Sequence, residues 1–194
     1  MYKNQWQLAT ESALYSDGER YAPFRLAFEK IGESEITPLK KVLVLGAGLG
    51  SVIQILSKKY QCNAQYSLVE IDKQILSWSE VLLGQMQIQD IKGYNEDAYA
   101  FLINDKSQYD LICIDIFIDR EVPQKFLTPK FFNHIKSHLS PNGFWIMNYM
   151  FKQADKLAEL QNNIATQFKN PLSIQKRENI IFYGKNDLGI KKTN

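Results

Sequence analysis

Three glycines and three carboxylates carry residue types and spacings that suit chemistry. Gly46, Gly48 and Gly50 alternate in Gly46-Ala47-Gly48-Leu49-Gly50-Ser51. They lie between an unbroken apolar run at residues 40–45 and a helical pattern carried by Val52, Ile53 and Leu56. Strand, glycine turn and helix together aim backbone N–H groups and a helix N-terminus at a ligand. Glu70 closes the next apolar run, about twenty residues beyond the turn, where an acid can accept two hydrogen bonds from a ribose diol. Asp97 follows a third run. It suits either an exocyclic amine such as adenine N6 or the N-cap of the helix it opens. Asp115 interrupts the apolar stretch at residues 111–118. A buried, unpaired carboxylate costs several kcal/mol, so Asp115 must be satisfied by loop amides or open onto a site. In the second case it can orient an acceptor amine and take its proton as general base. Asp119 and Glu121, in the following loop, are placed to attract a cation or simply to face solvent.

Elements of matching type surround these residues. Pro23 suits a first helical turn with Phe24, Ala27, Phe28 and Ile31 on one face, ended by Gly32. Strands are expected at residues 40–45, 66–71, 91–94, 111–117 and 144–150. The intervening helices are marked by Val52/Ile53/Leu56, by Ile75/Trp78/Leu82 behind an Asp72 cap, by Ala98/Phe101/Leu102 and by Phe131/Ile135/Leu139. Pro141-Asn142-Gly143 reads as a turn ending the last of these. A longer helix at Leu157, Leu160, Ile164 and Phe168 precedes an antiparallel pair at residues 172–175 and 179–183. Residues 1–20 are irregular, with a hairpin expected around Ser16-Asp17-Gly18. Strands alternating with helices imply a mostly parallel, seven-stranded α/β sheet with an antiparallel C-terminal pair and helices on both faces. Such sheets bind ligands beyond the carboxyl ends of their strands, where strand order reverses. Glu70, Asp97 and Asp115 all fall at such ends.

The bulk properties narrow the classes. The chain has 194 residues, 45% of them hydrophobic, and a formal charge of +2, which argues against nucleic acid or an acidic membrane as partner. It reads as one domain, an N-terminal extension (1–35) on a nucleoside-binding core (36–194), and no run reaches membrane-spanning length. Cys62 and Cys113 fit no disulfide or metal framework and read as reduced thiols of a cytoplasmic protein. His134 and His138 stand four apart but find no third ligand, so no metal is expected. Lys185, Lys191 and Lys192 read as a solvated, frayed end.

Spacing at the glycine turn separates two ligand classes. A dinucleotide fingerprint would place its third glycine or alanine at position 51, which is Ser51, whereas Gly50 comes one residue early. The ordered set of residues 42–51, Val69-Glu70-Ile71-Asp72, Glu96-Asp97-Ala98, Tyr109-Asp110-Leu111-Ile112, Asp115-Ile116-Phe117, Val122-Pro123, Leu127-Thr128-Pro129, Phe131-Phe132 and Leu139-Ser140-Pro141-Asn142-Gly143 resembles the spermidine-synthase-like branch of the class I S-adenosylmethionine-dependent methyltransferase superfamily. Gln7-Leu8 and Tyr15-Ser16-Asp17 resemble the family's N-terminal glutamine and tyrosine, close to the donor nucleoside.

The resemblance implies a Rossmann-like sandwich in which Gly46, Gly48 and Gly50 pack on the donor, Glu70 holds its ribose and Asp97 its adenine. Asp115 matches the family's catalytic aspartate. Two departures stand out. Aminopropyltransferases resemble G-G-G-D-G at the turn, where this chain has Leu49; their second acid, three residues after the first, is Ile118 here. The lead expectation is therefore an S-adenosylmethionine-dependent transferase, methylating a small or amine-bearing acceptor. Its alternatives are a polyamine aminopropyltransferase using decarboxylated S-adenosylmethionine and a non-catalytic nucleoside-binding scaffold. A homodimer is compatible with each.

Overall fold

A computed structural model describes residues 6–9, 14–151 and 154–186. Seven strands form one sheet: β3 (Lys41–Leu45), β4 (Gln65–Glu70), β5 (Ile91–Asn95), β6 (Tyr109–Ile114), β7 (Leu139–Met150), β8 (Leu172–Lys176) and β9 (Asn179–Lys185). A separate short pair, β1 (Leu8–Ala9) and β2 (Leu14–Ser16), precedes them. The sheet order is β5-β4-β3-β6-β7-β9-β8, parallel from β5 to β7, with β9 antiparallel to both neighbours. From β3 the chain first winds outward through β4 and β5, then returns to lay β6 on the other side. The reversal between β3 and β6 leaves a crevice beyond their carboxyl ends.

Alternation along β3 divides the core. Val42 and Val44 face one layer with Phe24, Phe28, Ile53 and Leu56, from α1 (Ala22–Ile31) and α3 (Ser51–Tyr60). Leu43 and Leu45 face the other, with Phe101, Phe131 and Ile164 from α5 (Ala98–Asn104), α6 (Pro129–Ser137) and α7 (Ala154–Ala165). Burial on both faces explains why these strands read as continuous apolar runs.

Several expectations need correction. In α4 (Lys73–Gln85) the buried face is Leu76, Ser79 and Leu83; Trp78 is 48% exposed, and Ile75 and Leu82 line surface depressions. Apolar residues occupy two adjacent helical ladders, so periodicity fits both. Packing into the core decides: Leu76 and Leu83 join the layer with Val52 and Leu68, and Gly50 lies so near Leu83 that a Cβ there would be 2.8 Å from its Cδ1. The N-terminal antiparallel pair is β1 with β2, so Ser16 closes a strand instead of opening a turn, and Gly18–Arg20 form a 3-10 turn. A short helix, α2 (Glu33–Ile36), intervenes before β3. Strand β6 ends at Ile114, so Asp115 stands just past it. Pro141-Asn142-Gly143 lies inside β7 as a register shift against β6. Lys185 is the last residue of β9 and pairs with Glu35 at 3.1 Å. Lys191 and Lys192 lie outside the described residues.

Candidate active site

The glycine turn is held in place by several contacts. Gly46 has φ +86°, and a Cβ there would lie 2.3 Å from the Asp115 carbonyl oxygen. Its absence lets the ends of β3 and β6 approach closely enough for the turn and Asp115 to share one floor. Gly50 takes φ +74°, a left-handed conformation, as the N-cap of α3. Ser51, the residue that breaks the dinucleotide pattern, is 3% exposed and bonds to Ser16 Oγ at 2.5 Å. Asp17 N donates to Ser51 Oγ and Leu49 N to Ser16 Oγ. The end of β2 is thereby fastened to the turn, and Leu8 and Ala9 of β1 form part of the cavity wall beside it.

That cavity, of about 360 Å³, lies beyond the carboxyl ends of β3 to β6. Its size falls in the range of small-molecule sites. Gly46, Gly48, Glu70, Asp97 and Asp115 all line it, so five of the six residues singled out in the sequence meet in one place. Gly50 stands behind, packed on α4.

Each carboxylate has its own environment. Glu70 Oε2 accepts from Gly48 N at 3.3 Å and Oε1 from Asp72 N at 3.1 Å. These bonds fix the carboxylate across the turn and leave each oxygen a further lone pair for a diol. Asp97 caps α5, accepting from Tyr99 N and Ala100 N through Oδ1, while Oδ2 accepts from Lys125 Nζ at 2.6 Å. Burial raises its pKa, but Lys125 and the two amides outweigh that and lower it overall. The capping alternative is therefore realised, with Lys125 on the oxygen left over.

Asp115 sits in a polar network within an otherwise apolar region. Its Oδ1 accepts from Asn148 Nδ2 at 2.9 Å and from Tyr21 Oη at 3.1 Å. Asn148 Oδ1 in turn accepts from Asn179 Nδ2 at 2.8 Å. Burial pushes the Asp115 carboxyl up to about 7, against the two donated bonds that pull it down and with a small push from Glu70. Tyr21 is raised well above its usual value, chiefly by burial and next by the Asp115 charge. The side chains are thus a neutral phenol and an amide supporting an acid poised near neutrality.

Asn148 and Tyr21 were not singled out from the sequence. Asn148 had a readable signal, a lone amide in the apolar stretch Trp145-Ile146-Met147-Asn148-Tyr149, the same kind of interruption as Asp115. Tyr21 precedes a helix and carries no local signal. The histidines stand away from the cavity. His138 contacts the carbonyl oxygens of His134 and Asp105 through its two ring nitrogens, and His134 packs edge-on against Tyr99. Cys62 and Cys113 are buried thiols whose pKa values burial raises.

Residues 28–175, most of the chain, match the family described as the spermine/spermidine synthase domain. The chain belongs to the spermine/spermidine synthase family. Among its relatives, a probable polyamine aminopropyl transferase of Bifidobacterium longum is 31% identical over 55% of this chain and 23% of its own length. The eEF1A lysine and N-terminal methyltransferase homolog of Drosophila melanogaster is 28% identical over 76% of this chain and 24% of its own. The chain thus spans about a quarter of the length of either relative. A probable spermidine synthase from Corynebacterium glutamicum superposes with TM-score 0.70 at 20% identity, over 94% of this chain and 68% of that one. Human methyltransferase-like protein 13, solved in complex with SAH, gives 0.68 at 20%, over 84% and 81%. The fold is accordingly the Rossmann-like fold of class I S-adenosylmethionine-dependent transferases, and proteins with aminopropyl and with methyl transfer in their names both resemble this chain.

Proposed function

We propose that this protein is an S-adenosylmethionine-dependent methyltransferase acting on an amine. The observation that carries the choice of methyl over aminopropyl transfer is Leu49. By the resemblance it occupies the turn position where aminopropyltransferases carry an acid, and it is only 6% exposed. No carboxylate stands at that position to hold a donor's propylammonium, and the Leu49 side chain lies in a neighbouring apolar depression with Leu8 and Trp78 rather than in the cavity wall. The cavity itself fits the nucleoside common to both donors. Glu70 retains lone pairs for the ribose diol. Lys125 is half exposed and must only swing out to release an oxygen of Asp97 toward an adenine amine. An exposed ion pair of this kind costs roughly 1 kcal/mol or less to break.

Asp115 then serves the acceptor. Anchored through Oδ1, its carboxylate accepts a proton from the acceptor ammonium and keeps the freed nitrogen in line. The nitrogen lone pair forms the new bond to the methyl carbon as the carbon–sulfur bond breaks. The electron pair stays on sulfur, giving neutral S-adenosylhomocysteine. Tyr21 and Asn148 hold Asp115 without competing for the proton.

Aminopropyl transfer remains the second reading, favoured by the aminopropyltransferases among the relatives. Calorimetric titration with the two donors separates them. S-adenosylmethionine is expected to bind at least as tightly as its decarboxylated form. A clear preference for the decarboxylated donor would overturn methyl transfer.

A further inference from the structure

The acceptor end of the cavity has a chemistry of its own. Beyond Asp115 the wall consists of Ile116, Phe117 and Ile118, with Pro123 and Phe126 closing it. Ile118 is the residue three positions after Asp115, and its placement is fixed by backbone. Ile118 N donates to the Glu121 carbonyl at 2.9 Å and Glu121 N to the Ile118 carbonyl at 3.0 Å. Asp119 takes φ +54° at the tip of that turn, and Arg120 pairs with Glu178 on the β8–β9 hairpin. The turn therefore presents Ile118 to the cavity and carries Asp119 onward to its tip. The one ammonium among the described cavity residues, Lys125, is held at Asp97.

A linear diamine fits this lining poorly. With one nitrogen at Asp115, its far ammonium would lie against the hydrocarbon of Ile116, Phe117 and Ile118, while Asp97 already holds Lys125 and Glu70 the turn amides. Removing an ammonium from water without a partner is costly, while covering exposed isoleucine with hydrocarbon is favourable. Ile118 is 68% exposed and so has much apolar surface left to cover.

We infer that the acceptor is a primary monoamine on an apolar body, its nitrogen at Asp115 and its hydrocarbon along Ile116, Phe117 and Ile118. This rests on the reading of the cavity as a transferase site. It departs from the polyamines named for several relatives.

n-Pentylamine and putrescine have equal numbers of heavy atoms and differ by a terminal methyl against a terminal ammonium. Calorimetric titration of each into the protein saturated with S-adenosylhomocysteine decides between them. Pentylamine is expected to bind at least tenfold more tightly than putrescine. In Ile118→Asp, whose backbone bonds to Glu121 are retained, the order should reverse. Putrescine binding as tightly as pentylamine in the wild type, or neither amine binding, would overturn the inference. Failure of S-adenosylhomocysteine itself to bind would instead overturn the transferase reading, so the two failures are distinct.

Discussion

Replacing Asp115 by asparagine separates a catalytic acid from a structural one, because the two roles move stability in opposite directions. The folded carboxyl is raised to about 7, against roughly 3.9 in an unfolded chain. A raised acid holds its proton longer in the folded state, so the folded state binds more protons between about pH 4 and 7. Stability of the wild type therefore falls as pH rises through that window and levels off above it. Three pKa units correspond to a ceiling of about 4 kcal/mol. The side chain is only partly buried, and solvent screening reduces this to about 2–3 kcal/mol. The bonds from Tyr21 and Asn148 are already included in that balance, and an asparagine Oδ1 can accept both. Asp115→Asn should thus melt close to the wild type near pH 4 and roughly 4–12 °C above it at pH 8, at about 2–4 °C per kcal/mol for a chain of this size. Methyl transfer should drop by about a hundredfold or more, a usual general-base contribution. Wild-type turnover should rise with pH to a plateau above about 7. Melting curves from pH 4 to 8 and rates on the same protein supply the test. A variant that melts lower than wild type at every pH, with activity lost in proportion, would refute the catalytic role.

Glu70→Gln removes the charge but leaves one acceptor, so donor affinity should fall about tenfold or more. A nucleoside lacking both ribose hydroxyls should bind the variant and wild type alike; equal loss for both ligands removes Glu70 from the ribose. Lys125→Met frees the outer oxygen of Asp97 and should tighten nucleoside binding by up to about fivefold, since the lost ion pair is exposed. Weaker binding would show that Lys125 itself contacts the ligand. Gly46→Ala sets a Cβ 2.3 Å from the Asp115 carbonyl oxygen, so strain at positive φ and displacement of β6 should cost about 2–5 kcal/mol, read as a lowered melting temperature.

Most of the fold was legible because both faces of the sheet are covered. Runs such as Val42-Leu43-Val44-Leu45 have no polar alternation, and the helices between them repeat at helical spacing. The site was legible for the same reason: a polar residue in such a run must be satisfied or open onto a site, and Asp115 is held by Tyr21 and Asn148 while lining the cavity. That logic extends to Asn148, which the same apolar context marks. Tyr21 and Lys125 were not legible, because each reaches its carboxylate from an element distant in sequence. The Ser16–Ser51 bond, 35 residues apart in sequence, belongs to the same class. The inward face of α4 was misread because apolar residues fill two neighbouring ladders. Burial of Leu76 and Leu83 in the core beside Val52 and Leu68 chooses between them, a tertiary contact that periodicity does not carry.

A crystal structure with bound 5′-methylthioadenosine tests the placement of the donor most directly, since that nucleoside is common to methyl and aminopropyl donors. Its ribose hydroxyls should lie within hydrogen-bond distance of both Glu70 oxygens, its sulfur over Gly46 and Gly48 toward Asp115, and its adenine beside Asp97 with Lys125 displaced. A nucleoside bound outside this cavity, or one whose ribose leaves Glu70 bonded only to Gly48 and Asp72, would contradict the assignment.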